Sequence, residues 1–297
     1  VEPAGFFVKF SAIIVDYDSW PLTLGCVEAL RKTGREDFEV IIVANGPGEP
    51  PELPSVASGV RVIHNPANAG FARACNQGIA ASTGGLVALI NPDTRVEKEF
   101  FDLVEAFFAE NPEAGIAGPR VLDRDGRVQL SARKEIGLLS GVLGRTSLLT
   151  RLFPKSPLVK KHFPALGELM GPTSVDWVSG ACMISRRSTL ERVGGLDERF
   201  FMYFEDADLC RRARGEGWTV CYLPGVTVTH EAGGSTGDKP RAIWRLHKSA
   251  FLYHRKHNRH GPLQGYSLLV FAGLTVRALA KLAGSLIERP TAETRDS

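Results

Sequence analysis

Three short apolar runs limit what this chain can fold into: Ser11–Val15 (SAIIV), Phe38–Ala44 (FEVIIVA) and Leu86–Ile90 (LVALI). Each is nearly continuous rather than alternating, the pattern of a strand covered on both faces. Helix signals fill the gaps between them. Ser19 stands as an N-cap with Pro21 near the first helical position of a helix to about Lys32. Asn68 precedes a helix from about Phe71 to Ala81, and Lys98–Glu110 reads as another. Val60–His64 and Gly115–Pro119 add shorter strands, and NGPGEPPELP is a loop by its Gly and Pro content. Strands alternating with helices predict an α/β layer fold with a single, Rossmann-like, mainly parallel sheet.

Beyond Arg120 the pattern changes. Arg133–Met170 has weak periodicity and reads as a partly mobile excursion. Val175–Ile184 reads as one strand, Ser188–Val193 as a short helix and Phe204–Glu216 as a helix stopped by Gly217. Thr219–Leu223 and Thr227–His230 read as two strands, Arg241–Arg259 as a basic helix and Leu263–Ile287 as an apolar one. The formal net charge of +3 hides an asymmetry. Between Lys239 and Ile287 there are nine Lys or Arg and no Asp or Glu, against 27 basic and 33 acidic residues elsewhere. A boundary at 238/239 is therefore expected, with a basic, amphipathic helical extension over 239–297 directed at an anionic surface. The five cysteines are scattered without C-x-x-C spacing, which argues against a zinc cluster or disulfide framework and fits a reducing, cytoplasmic setting. The opening VEPAGFFVKF has no basic region and cleavage site of a signal peptide, and the missing initiator Met points to a trimmed start.

Polar residues cluster where strands end. Gly46-x-Gly48 is followed by Pro50 and Pro51, so no dinucleotide-binding helix can begin there, and no P-loop signature occurs. Instead Asp16, Tyr17, Asn45 and Asn91-Pro92-Asp93 follow strands, and ligands in open parallel sheets bind beyond such ends. Asp93 could hold a divalent cation (Mg²⁺ or Mn²⁺) against a diphosphate, or the tripeptide could be a simple turn. Asn68, Gly70, Arg73 and Asn76 open the second helix, where backbone N–H groups can receive an anion or simply cap a core helix. Glu205, Asp206 and Asp208 follow an aromatic run. They read either as ordinary first-turn acids, with Asp208 pairing to Arg212, or as the source of a general base. His230 closes a strand as a structural residue or a ligand. His254, His257 and His260, crowded by Arg255, Lys256 and Arg259, read as a solvated cationic face.

The ordered series AIIV, NAGFARACNQG, NPDT, VSGACMISRR, VGGLDERFFMYFEDADLCRR and HEAGGS resembles the family 2 glycosyltransferases, specifically their rhamnosyltransferase-like branch, over about Ala12–Ser235. The resemblance implies a GT-A fold with a nucleotide-sugar half over about 1–120 and an acceptor half over about 121–238. It also implies a nucleoside diphosphate sugar donor, a divalent metal and an inverting single displacement. Asp93 matches the metal-binding aspartate of the Asp-x-Asp motif, whose first acid is here Asn91, and His230 matches a candidate metal ligand. Asp206 matches the catalytic base of the Glu-Asp motif, with Glu205 beside it on the acceptor side. Asn68, Gly70, Arg73 and Asn76 match the donor-side motif, and Trp177 and Gly180 border donor and acceptor. One departure bears on base specificity: the second strand ends Ala44-Asn45 where the family usually has Asp-Asn.

The branch implies transfer of L-rhamnose from dTDP-rhamnose to a saccharide or lipid-diphosphate acceptor in cell-envelope polysaccharide synthesis. A nucleotidyltransferase is the nearest rival, but it would carry a Gly-rich basic loop where DYDSWP stands. A non-catalytic nucleotide-sugar-binding protein is the other, opposed by retention of both Asp93 and Asp206. No nucleic-acid-binding signature is present. The uncharged run from Pro262 to Val276 is 15 residues, short of the ~20 needed to span a bilayer. Arg277 and Lys281 fall on one face, with Val276, Leu279, Ala283 and Leu286 around the other, so a peripheral anchor on the inner membrane face is expected. A core or homodimer helix is the alternative.

Overall fold

The computed structural model describes residues 9–133, 169–231, 239–258 and 270–279. The apolar runs become β1 (Phe10–Asp16), β2 (Phe38–Asn45) and β4 (Leu86–Ile90), joined by α1 (Trp20–Arg31), β3 (Arg61–Asn65) and α2 (Phe71–Ala81). β5 (Thr94–Val96), α3 (Phe100–Glu110), β6 (Ala114–Leu122) and β7 (Ala132–Arg133) follow. The remaining elements are β8 (Thr173–Ser174), β9 (Trp177–Val178), β10 (Cys182–Arg186), α4 (Arg187–Val193), α5 (Glu205–Gly215), β11 (Thr219–His230) and α6 (Lys239–His257).

The main sheet runs β3-β2-β1-β4-β10-β6-β11-β5, with β8 paired to β11. β3, β2, β1 and β4 are mutually parallel, as are β6 and β11, whereas β10 lies antiparallel to both β4 and β6. The continuous apolar runs are explained by helices on both faces. Ile14, Val40 and Ile42 pack with α1 and α3 on one side, while Ile13, Ile41 and Val43 pack with α2, α4 and α5 on the other. In α3 the apolar residues Phe100, Phe101, Val104, Phe107 and Phe108 recur at helical spacing and are buried.

Three readings need correction. Val175–Ile184 is not one strand: Trp177–Val178 pairs with Ala132–Arg133 in a separate small sheet, and only Cys182–Arg186 enters the main one. The backbone leaves the first sheet through Ser179 and Gly180, whose N–H groups turn to Ser131 and Asp206. The two strands expected after residue 218 form one strand, Thr219–His230, whose register on β6 shifts between Leu223 and Thr227. Third, His254, Lys256 and His257 do not form a solvated face. His254 is buried, and Lys256 Nζ and His257 Nε2 approach the same oxygen, Asp208 Oδ1, at 2.6 and 2.7 Å. Arg259, His260 and Lys281, the excursion over 134–168 and most of the expected C-terminal apolar helix lie outside the described residues; 270–279 is helical.

Asp208 is fully buried, and Arg212 Nε donates to its other oxygen at 2.7 Å, the pairing its i,i+4 spacing predicts. Lys256 also reaches Asp197 at 2.7 Å, Ser249 Oγ donates to the Met202 carbonyl at 2.8 Å, and Tyr253 packs against Phe204. Helix α6 is thus splinted along residues 197–208. Burial alone would raise the Asp208 carboxyl, but hydrogen bonds from His257 and Lys256, with Arg212, hold it below the usual carboxylate range. Its ionisation therefore stabilises the fold fully above the unfolded carboxylate value near ~4, and the contribution is lost as pH falls through the lower folded value. Asp208→Asn is expected to cost about 3–5 kcal/mol, because Arg212 and Lys256 lose their counter-charge and the contact with His257 is weakened. Calorimetry at neutral pH should show a lowered Tm; an unchanged Tm would show that the cluster is not a stabilising anchor.

Candidate active site

Strand order reverses at β1: the chain moves outward through β2 and β3, then returns through α2 to place β4 on the other side of β1. Crevices open at such points beyond the carboxyl ends of the strands. One forms here, lined by Tyr17, Asn45, Asn68, Phe71, Asn91 and Asp93 on the sheet side, with Phe201, Met202, Arg241 and Arg245 also on its walls.

The candidate donor-side residues divide into those that face this space and those that build it. Tyr17, Asn45, Asn68, Asn91 and Asp93 line it. Asp16 does not: its carboxylate turns back to accept from Ser19 Oγ at 3.0 Å and Thr23 Oγ1 at 2.5 Å, tying β1 to the start of α1. Ser19 holds the N-cap position, but its hydroxyl serves Asp16 instead of the helix N–H groups. Asn45 and Asn68 are linked at 3.2 Å, and Asn45 Oδ1 accepts from the Ala69 N–H at 3.0 Å. Gly70 has φ +89°, and a Cβ there would lie 2.9 Å from the Phe201 carbonyl oxygen. That approach lets the Phe71 N–H donate to the same carbonyl at 2.7 Å. Asn76 clasps the Leu196 backbone, donating to its carbonyl and accepting from its N–H, both at 2.9 Å, so it is structural in this arrangement. Arg73 is exposed and outside the crevice lining.

Residues 200–204 lead into α5 through Tyr203 and Phe204, both in the left-handed region at φ 70° and 69°. This strained turn, held by α6, sets the following two carboxylates. Asp206 Oδ2 accepts from the Gly180 N–H at 3.0 Å, and Oδ1 accepts from the Ala207 N–H at 2.7 Å. A Cβ on Gly180 would lie 3.7 Å from Asp206 Cβ and 3.9 Å from the Phe71 ring, so Gly180 neighbours both, while Asp206 and Glu205 are not among the residues that line the crevice. Trp177 is half-buried in the same quarter with the Arg133 guanidinium 5.3 Å from its ring centroid. Burial raises Asp206 above the ordinary carboxylate value, opposed by its two backbone hydrogen bonds and the charge of Arg133. Glu205 is pushed up further, by burial and then by the Asp206 charge, and its Oε2 has no hydrogen-bond partner among the described residues. Two adjacent carboxyls do not both ionise readily, and the stronger upward push on Glu205 favours it as the member that keeps its proton.

His230 ends β11 against the Asn91–Asp93 turn. Its Nε2 lies 3.2 Å from Asp93 Oδ1 and 3.3 Å from Asn91 Nδ2. Gln129, which no sequence feature singled out, determines the state of this ring. Gln129 Nε2 donates to the His230 carbonyl at 2.9 Å, which leaves Oε1 facing His230 Nδ1 at 3.3 Å. Nδ1 therefore carries the proton in the neutral ring, and Nε2 presents a lone pair toward the Asp93 carboxylate. Two acceptors at that separation are stable only if a proton or a cation lies between them. An imidazole nitrogen and a carboxylate oxygen are ligands that would suit a divalent ion. Among the described residues no group of three or more His, Cys, Asp or Glu forms a closed cage, so such a site would remain open to substrate.

Residues 11–194 match the Glycosyl transferase family 2 model, and the chain belongs to that family. It is 31% identical over 257 residues to the N-acetylglucosaminyl-diphospho-decaprenol L-rhamnosyltransferase of Mycobacterium tuberculosis, covering 81% of this chain and 82% of that protein. Its fold is that of the GT-A glycosyltransferases. The mannosyltransferase PcManGT from Pyrobaculum calidifontis, solved with GDP-Man and Mn²⁺, superposes with TM-score 0.58 at 16% identity, over 93% of this chain and 75% of that one. GalNAc-T7, solved with UDP, GalNAc and Mn²⁺, gives 0.56 at 14% identity over 82% of this chain, which spans only 47% of that protein. The protein is a glycosyltransferase.

Gln129→Leu should lower Mn²⁺ affinity about 10–100-fold through loss of the ring's orientation. Electron paramagnetic resonance of free Mn²⁺ in the presence of UDP reads this directly. Equal affinity in the variant and the parent would remove Gln129 from any such site.

Proposed function

We propose that the protein transfers a hexosyl group, L-rhamnose from dTDP-rhamnose, to a saccharide hydroxyl on a lipid-diphosphate acceptor for the cell envelope, with inversion at the anomeric carbon. The observation that carries this reading is the Asp206 carboxylate, held by the Gly180 and Ala207 N–H groups next to the buried Glu205. The likeness to the mycobacterial rhamnosyltransferase supports the choice of sugar and of a diphospho-lipid acceptor.

In this mechanism the domain divides as the sequence implies, with the donor bound by residues 1–120 and the acceptor by 121–238. Tyr17, Asn45 and Asn68 receive the nucleotide in the crevice. The Gly180 and Ala207 N–H groups fix the Asp206 carboxylate. Asp206 accepts the proton of the acceptor hydroxyl as that oxygen attacks the anomeric carbon and the bond to the diphosphate breaks. Trp177 supplies an aromatic surface for the acceptor ring. Asp93 and His230 would hold a divalent ion, which when bound offsets the charge growing on the leaving diphosphate. No helix among the described residues is long and apolar enough to cross a membrane. Phe271, Val276 and Leu279 are exposed on the helical stretch 270–279, and we assign this face to peripheral contact with the inner membrane surface where such an acceptor resides.

Asp206→Asn should reduce transfer about 10²–10⁴-fold while nucleotide binding stays near normal, because the amide keeps the shape but cannot take the proton. Release of nucleoside diphosphate from dTDP-rhamnose, with UDP- and GDP-sugars in parallel, measures both the donor choice and the loss. Near-normal turnover by the variant would reassign the base.

A further inference from the structure

We infer that Arg245 binds a diphosphate group in the crevice, so that helix α6 is part of the substrate site. The inference rests on the transferase reading above, in which both donor and proposed acceptor carry diphosphates.

The placement of Arg245 points this way. Arg241 and Arg245 line the crevice that also holds the Asp93 carboxylate. No acidic residue occurs from Lys239 to Ile287, so no carboxylate on α6 itself neutralises Arg245. Arg245 has no carboxylate partner among the described residues; its guanidinium lies over the Phe201 ring, 4.4 Å from the centroid. A cation on an aromatic face is oriented and partly desolvated without being neutralised, which leaves its N–H groups for an external anion. The platform is itself fixed, since the Phe201 carbonyl accepts from the Phe71 N–H and Ser249 ties α6 to Met202. The Asp208 cluster anchors the far end of the helix. A planar guanidinium presented from a rigid support suits bidentate contact with phosphate oxygens. Sequence alone assigns these arginines to a membrane-facing extension. In the structure Trp244 and Lys248 of the same helix are exposed, whereas Arg245 is half-buried in the crevice wall.

The test uses the full chain and three variants: Arg245→Gln, Arg245→Lys and the charge-matched Lys248→Gln. One arm titrates dTDP, UDP and inorganic pyrophosphate calorimetrically. The other compares KM for a GlcNAc-diphospho-prenyl acceptor with KM for a GlcNAc glycoside lacking the diphosphate. Arg245→Gln should weaken one arm about 10–100-fold, as loss of a charge-assisted hydrogen bond requires. Arg245→Lys should fall between it and the parent, and Lys248→Gln should match the parent. A loss confined to nucleoside diphosphate places Arg245 on the donor, and a loss confined to the diphosphate-bearing acceptor places it there. No change in either arm, or an equal change in Lys248→Gln, would overturn the inference. Failure of the parent protein to turn over any donor would sink the transferase reading instead, while the titrations still judge Arg245.

Discussion

A single buried carboxylate organises the half of the molecule that carries the chemistry. Asp208 faces inward from α5 and is met there by Arg212 from its own helix and by Lys256 and His257 from α6. Removing four charged or polar groups from water is unfavourable unless each is satisfied, so the cluster has few alternative arrangements. That constraint fixes α5 against α6. The turn between 200 and 204 is held as well, although two of its residues adopt a left-handed backbone that isolated chains avoid. The Glu205–Asp206 pair begins where that turn ends.

The sheet supplies the other half of the site by a different route. Strand order reverses at β1, and the ends of β1, β2 and β4 bring Tyr17, Asn45 and the Asn91–Asp93 turn into one crevice. Gly70 lets α2 approach the 200–204 turn closely enough for a backbone hydrogen bond, so the two halves meet through main chain as well as through side chains. Gln129 then orients the His230 ring from behind.

β1, β2 and β4 were legible because burial on both faces demands continuous apolar runs, which few other structures produce. Strands of two residues, such as Thr173–Ser174 and Trp177–Val178, contain no periodicity to read, and a turn at Gly180 hidden in an apolar stretch merged two of them with a third. Asp93, Asp206 and His230 stood out through motif order. What they depend on did not: Asp208 and His257 are 49 positions apart, and only the folded chain shows that the basic run neutralises a buried acid rather than facing solvent. Asp16 misled for a related reason. A strand-end aspartate can serve a ligand or the next helix, and the two hydroxyls that claim it here, Ser19 and Thr23, lie at the N-cap and in the first turn of α1.

The central claim is that an ionised Asp206, raised in pKa by burial and paired with a neutral Glu205, takes the acceptor's proton. The pH dependence of kcat/KM between about pH 4 and 8, with circular dichroism confirming the fold at each point, tests it most directly. A base must be ionised to act, so the rate should rise with pH through one limb whose apparent pKa lies above the ordinary carboxylate value of about 4. A rate that stays level across that range while the protein remains folded would contradict it.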